Sequence, residues 1–187
     1  MIYFNSGNVL QKEKLACFDL DYTIIRTKTG KIFPKDKDDW CWLNDLVPLK
    51  LEKLWNDNYS IIIFTNQLGV AKNKTTIEDL EYKFNRINDK LNFPIVIIAS
   101  IKDDYTRKPR IGMWNYIKKI NQVKIDLSQS FYVGDMAGRI KTKLSKQDKR
   151  DSDRKFSRNI GLTFYTPEEF YFGDPMRKWK FKGYQLD

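Results

Sequence analysis

A short apolar run, Leu15-Ala16-Cys17-Phe18, stops at Asp19 and is followed by Leu20, Asp21, Tyr22 and Thr23. Such a run, closed at once by acidic residues, reads as a buried parallel strand that ends in a site. In extended backbone, residues two apart point the same way, so Asp19 and Asp21 are predicted to face one region. Two carboxylates held together repel each other. They become useful where a cation offsets the charge, or where one of them carries a proton. Both conditions suit phosphoryl transfer, in which one carboxylate attacks phosphorus and the other handles protons. Taken alone, the motif also fits a plain pair of surface aspartates.

Three more runs have the same character: Ile61 to Phe64, Ile95 to Ala99, and Phe131 to Val133. Two of these also end in polar clusters, Thr65-Asn66-Gln67 and Gly134-Asp135. Helical stripes lie between the runs. One contains Val47, Leu51, Leu54 and Trp55. A second contains Ile77, Leu80, Phe84, Ile87 and Leu91, with Thr75 and Glu78 spaced as a capping box. A third runs from about Gly112 to Ile120. Leu162 to Tyr165 reads as a last strand, and Thr166-Pro167-Glu168-Glu169 as a helix start. Alternating strands and helices predict an α/β fold with a parallel sheet and helices on both faces, spanning residues 1–187 as one domain. Arg26 to Asn44 is polar and reads as a hairpin or flap beside the first strand. Lys141 to Arg158 is charge-dense and breaks the alternation.

The chain has 187 residues, two cysteines and no histidine. That rules out histidine-based acid–base work and every Ser-His or Cys-His machine. Cys17 and Cys41 give neither a disulfide framework nor a zinc site. A net charge of +10 fits a polyanionic partner such as nucleic acid, and equally a requirement for solubility. Met1 to Asn8 reads as short and polar, and no signal peptide or membrane-spanning stretch is visible. An intracellular, soluble protein is expected.

Strand ends of a parallel sheet converge in a crevice. That would gather Asp19, Asp21, Thr65 and Asp135, with Lys108 of Arg107-Lys108-Pro109 able to join them. Asp19, Asp135 and a backbone carbonyl suit a hard cation such as Mg²⁺. Mg²⁺ and Lys108 would neutralise a phosphate that a carboxylate otherwise repels. The Thr65 hydroxyl and the backbone N–H after it can donate to phosphate oxygens.

These motifs, in this order, resemble the aspartate-nucleophile phosphatases of the haloacid dehalogenase superfamily. The nearer likeness is to the phosphatase domain of polynucleotide kinase 3′-phosphatase. It rests on Thr27 to Pro34, Asp38-Asp39-Trp40, Phe64 to Gln67 with Gly69, and Arg107-Lys108-Pro109 with Gly112-Met113-Trp114. Tyr132 to Asp135, Ala137-Gly138-Arg139, Asp153-Arg154 and Thr166 to Phe170 complete it. The resemblance implies a haloacid-dehalogenase-like, Rossmann-like fold and removal of a 3′-phosphate from DNA ends. It assigns Asp19 as nucleophile and Asp21 as acid and then base. It implies Mg²⁺ on Asp19, Asp135 and the backbone carbonyl of Asp21, and phosphate on Thr65, Asn66 and Lys108. Lys28, Lys31, Lys35, Trp40 and Arg139 are candidates for DNA contacts, although the tryptophans fit flap packing better. Tyr22 departs from the pattern, which has glycine there. Asp153 matches by context, with its role open.

No G-x-x-x-x-G-K-[ST] phosphate loop occurs, so no kinase domain is expected in this chain, and a monomer is expected. A small-molecule phosphatase of the same superfamily is the nearest rival. The sugar- and histidinol-phosphate members carry a Cys/His zinc loop before Arg-Lys-Pro, where this chain reads Ser100 to Thr106. A catalytically inactive nucleic-acid-binding module is the rival from another class. It gains nothing from acidic residues facing phosphate.

Overall fold

The run that ends at Asp19 lies in the middle of a sheet. In the computed structural model, residues 1–142 and 146–181 are described. The elements follow in order: β1 (Ile2–Asn5), β2 (Lys14–Phe18), β3 (Ile25–Arg26), β4 (Cys41–Trp42), α1 (Leu46–Asn56), β5 (Tyr59–Asn66) and α2 (Ile77–Asn88). Then come β6 (Val96–Ser100), α3 (Gly112–Ile120), β7 (Phe131–Val133), α4 (Ser152–Ile160), β8 (Thr163–Tyr165) and α5 (Pro167–Phe172). The main sheet has the order β1-β6-β5-β2-β7-β8. Its pairs are parallel except β1 with β6.

Alternation along the strands builds two cores. Ala16, Phe18, Ile61, Ile63 and Ile97 point to the face covered by Val47 and Leu51 of α1 and Leu80, Phe84 and Ile87 of α2. Leu15, Cys17, Ile62, Phe64 and Ile98 point to the other face, against Met113, Trp114 and Ile117 of α3 and Phe156 and Ile160 of α4. A strand covered on both sides must be apolar at every position, which is why these runs show no polar alternation. Full burial of each large side chain contributes about 1.5–3 kcal/mol.

Three local readings change. The N-terminus is not simply polar: Ile2 to Asn5 pairs antiparallel with β6, so the sheet is mixed. Ile2 and Phe4 join one core and Tyr3 the other, over a stretch too short to show a period. Helix α2 is capped one residue later than predicted, by Thr76, whose hydroxyl accepts from Asp79 N at 3.1 Å. Two adjacent threonines, each three residues before an acid, make that choice ambiguous in sequence. The charge-dense stretch contains most of α4, while Lys143 lies outside the described residues.

The expected flap is present. β3 and β4 pair antiparallel, with Ile25 opposite Trp42, and carry residues 27–40 beyond the sheet. The predicted helix start at α5 is present and takes the form of a capping box: Thr166 Oγ1 accepts from Glu169 N, and the Glu169 carboxylate accepts from Thr166 N at 2.6 Å.

Candidate active site

β2 lies between β5 and β7, and Phe18 is opposite Ile63 on one side and Val133 on the other. Asp19, Thr65 and Asp135 therefore emerge within two residues of one level, at the carboxyl edge of three adjacent strands. Asp19 N donates to Val133 O at 2.8 Å, which ties the turn after β2 to β7.

Lys108 is the hub. Its ammonium is buried and donates to Asp19 Oδ1 at 2.6 Å, Asp153 Oδ1 at 2.7 Å and the Tyr132 hydroxyl at 2.8 Å. Burial works against that charge, but Asp153 and Asp19 together more than offset it, so its pKa is raised. Asn66 clasps the Lys108 backbone from both sides: Oδ1 accepts from Lys108 N at 3.0 Å and Nδ2 donates to Lys108 O at 3.1 Å. Both side-chain atoms of Asn66 are thus used in placing Lys108. The backbone N–H of Asn66, the group expected to meet phosphate, is not part of this clasp.

Carboxylate oxygens of Asp19, Asp135 and Asp153 lie within 4.8 Å of one another. Burial pushes the Asp19 carboxyl up to about 7; Lys108 opposes the rise, and Asp153 and Asp21 add to it. Burial, then Asp19 and Asp153, pushes Asp135 well above the usual carboxylate range. Three acids crowded around one ammonium resist ionising together without a further cation. A hard divalent cation with oxygen ligands fits that donor set.

Asp153 and Gln67 are the residues that sequence reasoning left without a role here. Asp153 comes from the first turn of α4 and is 1% exposed. It also accepts from Met136 N at 3.0 Å and from the Tyr132 hydroxyl at 3.2 Å. It reaches the site across Gly134, where an added Cβ would lie 2.6 Å from Asp153 Cβ, so only glycine admits it. Gln67 Nε2 donates to Asp21 Oδ2 and Thr65 Oγ1, both at 2.8 Å. That bond occupies a lone pair of the Thr65 hydroxyl and leaves its proton free for an acceptor in the site. The signal was position: Gln67 follows Thr65 by two residues at the end of a strand.

Trp40 and Arg139, candidates for DNA contacts, are both buried. Trp40 is 6% exposed and packs edge-on against Trp42. Arg139 is buried, with Nε on Asp148 at 2.8 Å, Nη1 on Glu168 at 2.6 Å and Nη2 on Asp135 O at 2.9 Å. It braces the Asp135 turn, and no sequence pattern disclosed those distant partners. Lys28, Lys31 and Lys35 are exposed on the flap, as is Phe33 at 73%. Asp39 braces the flap: its carboxylate accepts from Thr29 N, the Thr29 hydroxyl and Lys35 N at 2.8–3.0 Å.

Tyr22 has a left-handed backbone, φ 61°. This costs a tyrosine about 1–2 kcal/mol. Its hydroxyl is shared between Lys31 O at 3.0 Å and Ile32 O at 3.2 Å, hydrogen bonds that offset part of that cost. A cleft of about 400 Å³ opens beside Asp135, lined also by Tyr22, Leu43, Arg139, Glu168 and Phe172.

Residues 14–171 match the family described as polynucleotide kinase 3 phosphatase. The chain belongs to that family. A bifunctional polynucleotide phosphatase/kinase of Schizosaccharomyces pombe is 43% identical over 168 residues, covering 89% of this chain and 40% of the relative. A polynucleotide 3′-phosphatase of Arabidopsis thaliana is 35% identical over 176 residues, covering 85% of this chain and 24% of the relative. The chain thus spans less than half the length of either. Among solved structures, D,D-heptose 1,7-bisphosphate phosphatase from B. bronchiseptica, complexed with magnesium and phosphate, superposes with a TM-score of 0.63 at 20% identity. The match covers 82% of this chain and 79% of that one. The fold is haloacid-dehalogenase-like, an α/β fold with a mostly parallel sheet, as the resemblance implied.

Proposed function

We propose that this chain is a Mg²⁺-dependent phosphatase that removes the 3′-phosphate from DNA ends through an aspartyl-phosphate on Asp19. The observation that carries the reading is the buried set of Asp19, Asp135 and Asp153 around Lys108, with Asp21, Gln67 and Thr65 beside it. Family membership and the names of the two relatives support the polynucleotide substrate.

Asp19, Asp135, Asp153 and the backbone carbonyl of Asp21 would hold Mg²⁺, which supplies positive charge opposite the phosphate oxygens. Lys108 and the Thr65 hydroxyl bind those oxygens. The Asp19 carboxylate attacks phosphorus, forming an O–P bond as the bond from phosphorus to the 3′ oxygen breaks. Asp21, held by Gln67, gives its proton to that leaving oxygen. A water then attacks the aspartyl-phosphate, Asp21 takes the water's proton, and inorganic phosphate leaves with Asp19 restored. Clearing a blocked 3′ end in this way would prepare DNA for a polymerase or ligase.

The test is Mg²⁺-dependent phosphate release from a 3′-phosphorylated oligonucleotide, its 5′-phosphorylated counterpart and a small aryl phosphate, with Asp19→Asn alongside. Preference for the 3′ end, abolished in the variant, is expected. Activity on the aryl phosphate with no preference for the oligonucleotide would discard the substrate and keep the chemistry.

A further inference from the structure

We infer that Tyr22 is a specificity-determining residue that latches the flap beside the reaction centre and forms one wall of the cleft leading to it. The inference rests on the 3′-end reading above. Tyr22 directly follows Asp21, and its backbone takes a left-handed conformation that side chains rarely adopt. Such a conformation persists only where the surroundings hold it. Two sets of hydrogen bonds do so here. Tyr22 N donates to Ile25 O at 2.7 Å, at the base of the flap. The hydroxyl reaches the carbonyls of Lys31 and Ile32 near the tip, where the Thr27 hydroxyl also donates to Lys31 O, at 2.6 Å.

The latch therefore joins the catalytic turn to the segment carrying Lys28, Lys31 and the exposed Phe33. A small phosphate ester has little beyond its phosphate to lay against that segment. A polynucleotide cannot, because the nucleotides preceding its terminal phosphate must lie against whatever borders the site. Tyr22 lines the cleft together with Leu43, Pro167 and Phe172, and the charged groups that line it, Arg139 and Glu168, are paired with each other at 2.6 Å. With Glu168 neutralised by Arg139, the cleft offers no unpaired cation to a backbone phosphate and suits uncharged sugar and base, while the exposed flap lysines suit phosphates.

Tyr22→Phe removes the latch and keeps the wall, and Tyr22→Gly removes both while relieving the backbone. Steady-state kinetics would be read on the 3′-phosphorylated single strand and the aryl phosphate. Hydrogen exchange of amides 28–35 would be followed alongside. In Tyr22→Phe the oligonucleotide KM should rise about threefold to tenfold, the range that removal of one hydrogen bond gives, with kcat little changed. The ratio of oligonucleotide to aryl-phosphate kcat/KM should fall by the same factor, and flap exchange should quicken. Tyr22→Gly should lower the ratio further. Equal losses on both substrates, or unchanged flap exchange in Tyr22→Phe, would overturn the assignment. A wild-type protein without preference for the oligonucleotide would overturn the 3′-end reading and the specificity role together. Quickened flap exchange in that case would still support the latch.

Discussion

Asp19 stands where burial and neighbouring charge compete most sharply. Its carboxyl is pushed up to about 7, first by burial and then by Asp153 and Asp21, with Lys108 opposing the rise. The ordinary aspartate value is about 3.9. Between those values the folded protein holds a proton that the unfolded chain has released, so stability falls as pH rises. Asp135, shifted the same way, adds to this slope. Asp39, pulled down to about 2 by hydrogen bonds from Lys35 and Thr29, acts only below about pH 4. The metal-free protein should melt at progressively lower temperature from about pH 4 to about pH 7. Asp19→Asn should flatten that trend, and Mg²⁺ should oppose it at the upper end. A melting temperature that rises with pH across this window would contradict the assignment. At this scale much of the site was legible, because Asp19, Asp21, Thr65 and Asp135 each follow an apolar run. Asp153 was not assigned, since it arrives from a helix and only the packing over Gly134 brings it in. Trp40 packs in the flap, the reading its sequence favoured, whereas the burial of Arg139 was not legible because a cation on a polar segment gives no sign of what pairs with it.

Among the elements, the flap carries the sharpest charge pattern. Lys28, Lys31 and Lys35 are exposed on it, while the carboxylate of Asp39 is spent on holding its arms together. If the flap tracks a DNA backbone, neutralising Lys28 and Lys31 to glutamine should weaken oligonucleotide binding. It should also flatten the slope of log affinity against log salt by about 0.7 for each phosphate no longer neutralised. Fluorescence anisotropy at several salt concentrations measures this. A uniform loss of affinity with no change in slope would mean that these lysines touch no phosphate. The hairpin was readable from Thr29-Gly30, Pro34 and the polar composition between two apolar segments. The β1 strand was not, because four residues do not establish a period and its pairing partner lies far along the chain.

For the whole molecule, a mostly parallel sheet covered on both faces gathers strand ends at one edge, and the candidate site residues sit there. The two-sided cores made this legible, since only doubly covered strands are apolar at consecutive positions. Net charge of +10 fits the proposed nucleic-acid substrate without singling out any surface. No helix among the described residues is long and apolar enough to cross a membrane. The central claim concerns the bond made at Asp19, and trapping that bond tests it directly. A single turnover with a 3′-³²P-phosphorylated oligonucleotide and Mg²⁺, quenched in acid and digested, should place label on the peptide containing Asp19. The label should be absent in Asp19→Asn. Full release of phosphate by the wild type with no labelled protein at any quench time, or label on a different residue, would contradict the account.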